Sequence, residues 1–154
     1  MSESNGADAW KPLVIAACSF TIIAALVLGV GVGSHLVLRH VVQTLPLWIV
    51  FTLGARRSSA AGWAGLPLFC FWLLLMAMIW LYLLGISNVL SGNFTPREIA
   101  MTVIVGLSSI VGIVVFSRMS SALSAWSRTA IFIVLAVLQI ACFRLSFMPF
   151  IAQR

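Results

Sequence analysis

The sequence predicts an all-α integral membrane protein, a compact bundle of about five transmembrane helices, from its composition and its long uncharged runs. Of the 154 residues, 62% are hydrophobic and only 8% are charged, whereas about a quarter of the residues in a soluble domain carry charge. A bilayer core of roughly 30 Å needs about 20 apolar residues per helix. The chain therefore allows five crossings, with four crossings plus a short interfacial or re-entrant helix as the alternative.

The first predicted span covers residues 12–33 and follows a polar N-terminal tail, residues 1–11. The uncharged run that begins at Pro12 is longer than one crossing needs, so the helix has to tilt or end within it. Gly33 and Ser34 offer a turn at which it can end. We expect the Ser34 hydroxyl to cap the helix that follows, because serine favours that position.

The second predicted span, residues 35–54, is the one for which two interpretations stay open. It contains Arg39 and His40 before its apolar stretch, and Pro46 predicts a kink. Arg39 lies close enough to the end of the helix for its long side chain to reach the lipid headgroups. The segment is either a full crossing or the short interfacial or re-entrant helix of the four-crossing alternative.

The third predicted span covers residues 66–90, and it is the clearest of the five. It carries no charge and is rich in leucine, methionine, phenylalanine and tryptophan. Arg56 and Arg57 open the connection before it, and small residues fill the rest of that connection. We therefore expect a loop up to about Trp63 and a continuous helix after it.

The fourth predicted span, residues 96–117, begins with the most specific local signal in the chain, Thr95-Pro96-Arg97-Glu98. Threonine at the cap and glutamate three residues later can satisfy each other's free backbone donors, and proline suits the first helical position. The last predicted span is residues 129–151, after a serine-rich connection. Together the spans form one domain, residues 12–151.

The basic residues indicate an orientation. With five crossings, one side of the bundle carries five of them: Lys11, Arg56, Arg57, Arg118 and Arg128. Because basic residues are enriched on the cytoplasmic side, this favours a cytoplasmic N-terminus. We expect a multi-pass protein of the cell membrane, specifically a bacterial inner membrane.

A stripe of small residues predicts a helix-packing face on the first span. Its members recur at every fourth position: Ala17, Thr21, Ala25, Gly29 and Gly33. In lipid, helices associate where small residues let two backbones approach closely. Gly106 and Gly112 form a smaller patch of this kind on the fourth span. The stripe packs either against this chain's own helices or against another subunit.

Polar residues gather at the other ends of the helices and form a candidate site for ligand binding or partner pairing. They are Arg39, His40, Arg97, Glu98, Gln139 and Arg144. One carboxylate faces several cations, and a guanidinium within the bilayer is costly without a partner. This excess of positive charge suits an anionic headgroup, a small anion or a partner's carboxylate; simple contact of the arginines with lipid phosphate is the alternative. Of Arg39 and Arg144, we expect Arg144 to be the stronger indicator of a functional site, because Gln139 lies about one turn deeper on the same helix.

The sequence points away from enzymatic and nucleic-acid functions. It has no glycine-rich phosphate loop, no paired carboxylates, no metal-ligand spacing and no nucleophile beside a base. Its nine basic residues are spread over the loops rather than clustered as in a nucleic-acid interface. We therefore expect no metal and no cofactor. The partners we expect are the lipid bilayer and, through the helices, another protein or a second copy of the chain.

Two functional hypotheses follow. The first is a non-enzymatic subunit or accessory component of a membrane complex, or a homo-oligomer, and it depends on the small-residue stripe and the thin loops. The second is binding or transport of an anionic or lipid-phosphate ligand by the arginines at the non-cytoplasmic helix ends.

Overall fold

A computed structural model describes residues 10–87 and 94–152 of the chain. Of these residues 81% are helical and none lies in a strand, which confirms the all-α prediction. Five helices are long and apolar enough to cross a membrane. The helices are α1 (Lys11–Ala24, continued by the π-helical segment Ala25–Gly31), α2 (Val37–Ala55), α3 (Ala60–Leu83), α4 (Pro96–Ser117), α5 (Ala125–Leu145) and the single turn α6 (Pro149–Ala152).

The five long helices form a closed ring in the order α1, α2, α5, α3, α4, with α4 packed against α1. α3 also contacts α1 and α2 across the ring, so it is the central helix of the bundle. The core is densest in the half of the bundle that contains the start of α1 and α3. Its fully buried side chains there include Ile15, Val50, Ala64, Leu68 and Phe69.

The predicted capping box at the start of α4 is confirmed. The backbone N–H of Thr95 donates to the Glu98 Oε2 atom at 2.8 Å, and the Glu98 N–H donates to the Thr95 hydroxyl oxygen at 3.3 Å. Pro96 takes the first helical position, where its missing N–H leaves no bond unmade. Local sequence therefore sets where α4 begins.

Three helices end in the same way, with one residue in the left-handed backbone conformation. These residues are His35 (φ 57°), Arg57 (φ 55°) and Gly85 (φ 72°). After α2, the N–H of Arg57 donates to the Gly54 carbonyl, and the next N–H donates to the Leu53 carbonyl, both at 2.9 Å. This pair of bonds is the Schellman motif, whose left-handed position favours glycine.

Replacing Arg57 by glycine is expected to raise the free energy of unfolding by about 0.5–1 kcal/mol, because glycine adopts a positive φ without steric cost. Arg56 is the matched control, since it carries the same charge but has a φ of −80°. The Arg56→Gly variant should be slightly less stable than the wild type. Thermal unfolding of both variants in a neutral detergent tests the prediction, and equal shifts for the two would contradict it.

Ser34 does not cap α2, contrary to the sequence-based expectation. Its hydroxyl donates to the Val30 carbonyl at 2.9 Å, one turn back along the chain. The residue that precedes α2 is Leu36, and it has no side-chain cap. The turn between α1 and α2 is two residues longer than predicted. α2 therefore begins at Val37 and not at residue 35.

α3 begins earlier than predicted, at Ala60, so the expected loop of small residues is helical. The reason is packing, because Gly62 lies directly against Phe116 and Met119 at the end of α4 and is buried. The described part of this helix ends at Leu83, before Gly85. The end of the predicted span, residues 88–90, lies outside the described residues.

α5 also begins earlier than predicted, at Ala125, because Ser124 caps it. The Ser124 hydroxyl oxygen accepts from the Ser127 N–H at 3.1 Å. The helix ends at Leu145, and a turn precedes α6. The predicted single span over residues 129–151 is therefore two helices.

The small-residue stripe of α1 divides into two parts. Ala17 and Thr21 are exposed on the outside of the bundle, whereas Ala25 and Gly29 are buried. A Cβ at Gly29 would overlap the Met101 side chain of α4. Gly33 approaches only carbonyl groups of its own helix. Part of the stripe thus packs within this chain.

Candidate functional site

A cavity of about 230 Å³ lies between the five long helices, in the half of the bundle away from the dense core. α3 and α4 each contribute four residues with the same helical spacing, so one stripe of each helix faces the cavity. Most of the lining is apolar. The lining residues are Leu26, Val30, Arg39, His40, Gln43, Trp72, Leu75, Met76, Ile79, Phe94, Glu98, Met101, Thr102, Val105, Phe143 and Phe147.

The cavity wall on α1 comes from the π-helical segment. Leu26 and Val30 belong to it and line the cavity. Gly31, at its end, lies against the backbone of Val37 and the Cβ atom of His40, and a Cβ at Gly31 would approach both to 3.2–3.4 Å. Single π-helical turns within α-helices are frequent at functional sites. Here the segment brings the start of α2 close to α1.

Arg39 is the charged residue that stands out in this cavity. Its guanidinium carbon lies 4.0 Å from the centre of the Phe147 ring, a cation–π arrangement. Its Nε atom is buried and has no hydrogen-bond partner. Within residues 10–87 and 94–152 no carboxylate forms an ion pair with it. The Phe147 ring therefore holds this cation, while no described residue accepts a hydrogen bond from it.

His40 is held by its own helix. Its Nδ1 atom lies 3.0 Å from the Leu36 carbonyl oxygen. Because a carbonyl only accepts, Nδ1 carries a proton and donates this bond.

Glu98 lines the cavity, and one oxygen of its carboxylate is occupied by the helix cap. The Oε2 atom accepts from both the backbone N–H and the hydroxyl of Thr95, at 2.8 and 2.9 Å. Its neighbour Arg97 is exposed and donates to the Leu28 carbonyl in the π-helical segment at 3.2 Å. Glu98 therefore fixes the start of α4, and Arg97 connects α4 to α1.

A buried polar network joins α2 to the end of α5. The Gln43 side chain donates to the Ser146 hydroxyl at 2.9 Å, and Ser146 donates to the Phe143 carbonyl at 2.6 Å. Gln139 donates to the Gln43 carbonyl at 3.2 Å, and its own Oε1 atom is buried without a partner. The network holds Phe147, the residue after Ser146, in position under Arg39.

Arg144 lies outside the cavity, which departs from the expectation that it is the stronger indicator of a functional site. It is exposed, whereas its neighbours Phe143 and Phe147 line the cavity. Successive residues of a helix point about 100° apart, so Phe143 and Arg144 face different directions. Of the predicted site residues, Arg39, His40 and Glu98 share the cavity, whereas Arg97, Gln139 and Arg144 do not line it.

Trp72 is a cavity residue that the sequence analysis did not select. Only 1% of it is exposed, and its indole N–H has no acceptor. Sequence offers one signal for it, since Trp72, Leu75, Met76 and Ile79 follow the spacing of a single helix face. In an entirely apolar helix that spacing does not distinguish a cavity face from a core face.

No known protein family, curated protein or solved structure matches this chain. Among the described residues, no group of three histidine, cysteine, aspartate or glutamate side chains could hold a metal ion. The cavity is therefore the feature of this protein that indicates a function.

Proposed function

We propose that this protein is a multi-pass membrane protein that binds, in its five-helix cavity, an amphipathic ligand with an oxyanion head. The head, a carboxylate or a phosphate, contacts Arg39, and the apolar part of the ligand lies along the walls of α3 and α4. The proposed role is binding without catalysis. Among the described residues that line the cavity, Thr102 carries a hydroxyl, and that hydroxyl donates to the Ile99 carbonyl at 2.7 Å.

The outer surface of the bundle supports insertion into a membrane. Large apolar side chains point outward on several helices, including Leu74 (63% exposed), Val137 (60%) and Leu107 (59%). Soluble monomers rarely expose contiguous apolar patches larger than a few hundred Å². In lipid the same side chains are at no disadvantage, and the helices satisfy their own backbone hydrogen bonds.

We further propose the bacterial inner membrane and a cytoplasmic N-terminus. The end of the bundle that contains Lys11 also contains Arg56, Arg57, Arg118 and Arg128, as the positive-inside rule favours. The cavity then lies in the non-cytoplasmic half of the membrane, where α2 and α4 begin.

Arg39 is the single observation that carries the binding proposal. A guanidinium at mid-depth in a bilayer costs about 2.5–3.5 kcal/mol, and less near the interface. Such a charge is expected to have a partner, yet the described chain supplies only the Phe147 ring. Guanidinium groups bind carboxylates and phosphates with two parallel hydrogen bonds. An oxyanion therefore fits the part of the cavity that Arg39 occupies.

The test is calorimetric titration of the full chain, reconstituted in phosphatidylcholine nanodiscs, with octyl phosphate. Octyl phosphate is expected to bind the wild type, and Arg39→Gln is expected to weaken binding at least about tenfold, the effect of losing a charged hydrogen bond. Arg144→Gln is the matched control, because Arg144 does not line the cavity. Its affinity should stay within about twofold of the wild type.

Three further ligands identify what the cavity recognises. Inorganic phosphate tests a free anion, octyl glucoside tests the tail without charge, and a phosphatidate with two acyl chains tests an ordinary lipid. Octyl phosphate should bind more tightly than each of them. Equal binding of octyl phosphate by the wild type and by Arg39→Gln would rule out the proposed role of Arg39.

The role as a subunit of a larger complex or homo-oligomer stays a prediction. The exposed positions Ala17 and Thr21 favour it, because small outward-facing residues allow another helix to approach closely. Gly29, which the same hypothesis includes, is covered by Met101 of this chain. A partner helix would therefore contact Ala17 and Thr21 but not Gly29.

A further inference from the structure

We infer that Trp72 and Val105 form a floor that limits the length of the ligand's tail, so that the cavity accepts one short apolar chain and excludes two-chain lipids. This inference rests on the proposed function. Both residues are almost completely buried, at 1% and 0% exposure. Each is the cavity residue of its helix that lies farthest from Arg39 and Glu98 along the bundle.

Below this floor the bundle is solid. Leu68 and Phe69, the next turn of α3, are fully buried. The Phe69 ring covers Gly112 of α4 so closely that a Cβ there would lie 2.5 Å from it. Ser109 of α4 is also fully buried and donates to the Val105 carbonyl at 2.8 Å. A ligand tail that reaches Trp72 therefore has no space to continue along the bundle axis.

The depth of the cavity follows from helical geometry. From Glu98 to Val105, and likewise from Ile79 to Trp72, seven residues correspond to roughly 10 Å at about 1.5 Å per residue. An extended chain advances roughly 3.6 Å over three covalent bonds. A straight tail of about eight bonds therefore extends from the level of Glu98 to the floor.

The volume of the cavity limits the ligand's tail to a similar length. A cavity of about 150 Å³ in another protein holds benzene, with six carbon atoms. In proportion, the 230 Å³ of this cavity hold about nine non-hydrogen atoms, which include any part of the head group that enters it. Depth and volume therefore set an upper limit of about eight or nine carbons on a single chain. The two chains of a phospholipid need several times this space.

The test measures how the dependence of binding affinity on tail length changes when the floor is moved. The full chain in phosphatidylcholine nanodiscs is titrated with butyl, hexyl, octyl, decyl and dodecyl phosphate, as wild type and as Val105→Phe. Each probe partitions into the bilayer equally in both samples, so the ratio of the two Kd values reports the cavity alone. The ratio should be near one for butyl phosphate and rise to about tenfold or more for octyl phosphate.

Two other variants complete the test. Val105→Ala lowers the floor and should improve the binding of decyl phosphate relative to octyl phosphate. Val103→Phe makes the same change as Val105→Phe on the exposed side of α4 and should leave every ratio near one. If Val105→Phe does not fold, the Val105→Ala series by itself decides the question.

The outcomes separate the two proposals. If octyl phosphate binds and requires Arg39, but neither Val105 variant changes the dependence on tail length, the floor is wrong and the binding function stands. If phosphatidate competes with octyl phosphate equally well, the exclusion of two-chain lipids is wrong. If no alkyl phosphate binds the wild type, the proposed function itself fails.

Discussion

Replacing Gly54 by alanine is expected to lower the free energy of unfolding by about 3 kcal/mol, the upper end of the usual cost of overpacking. Gly54 is buried where α2 crosses the start of α1. A Cβ at this position would lie 2.5 Å from the Pro12 carbonyl oxygen and 2.9 Å from the Ala16 backbone nitrogen. These are backbone atoms, so no side-chain rotation relieves the overlap and the two helices have to separate.

Gly33→Ala is the matched control for this substitution. Its Cβ would meet only two carbonyl oxygens of its own helix, at 3.4 and 3.6 Å, which is ordinary contact. The variant should unfold within about 0.5 kcal/mol of the wild type. Equilibrium unfolding in mixed micelles of neutral and anionic detergent measures both free energies. If Gly54→Ala were as stable as Gly33→Ala, the close crossing of α1 and α2 would be wrong.

Gly112→Ala is expected to cost about 2–3 kcal/mol, again through overpacking but against a side chain. The added Cβ would lie 2.5–2.9 Å from three atoms of the Phe69 ring. Phe69 is fully buried, and its ring also lies close to Gly65 within α3. The ring therefore has no free space into which to move.

Two further variants separate this contact from a general effect of alanine. Gly106→Ala, on the same helix, approaches only Met76 at 3.9 Å and should be neutral or slightly stabilising, because alanine favours helix. Combining Gly112→Ala with Phe69→Leu should cost less than the sum of the two single substitutions, since leucine leaves room for the Cβ. Strict additivity in this double-mutant cycle would show that the two residues do not contact.

These two contacts also explain why the cavity occupies one half of the bundle. Gly54 and Gly112 allow helices to approach closely in the half that contains the start of α1, and Phe69 fills the remaining space there. In the other half, Leu26, Met76 and Met101 surround open volume. A cavity closed at one end agrees with the proposed ligand-binding role better than with an open channel.

Several features of the fold could be predicted from local sequence. The capping box at Thr95 and Glu98 is one of them, because its hydrogen bonds join residues only three positions apart. The turn after α1 is another, although the prediction placed the Ser34 hydroxyl on the following helix. Both features are local, but a serine between two helices can bond to either of them, and here the Ser34 hydroxyl bonds back to Val30.

The candidate site was predictable only in part. Charge and helix ends grouped Arg39, His40 and Glu98 at one end of the bundle, and all three line the cavity there, whereas their role in binding stays a prediction. Nothing in the spacing of Arg144 showed that it faces outward while Phe143 faces the cavity, since the rotation of α5 depends on its packing against α2 and α3. The same holds for Trp72, because the face of α3 that meets the cavity also depends on packing against the other helices.

The sequence by itself determined that the chain is helical and that five of its helices are apolar enough for a bilayer, because length, charge and hydropathy are properties of each segment alone. Only the tertiary structure decided which face of each helix meets the others. In helices that are apolar on every side, the choice of face depends on close contacts such as Gly54 with Pro12 and Gly112 with Phe69. Those contacts join residues far apart in the chain, and Arg39 lines the cavity that lies beyond them.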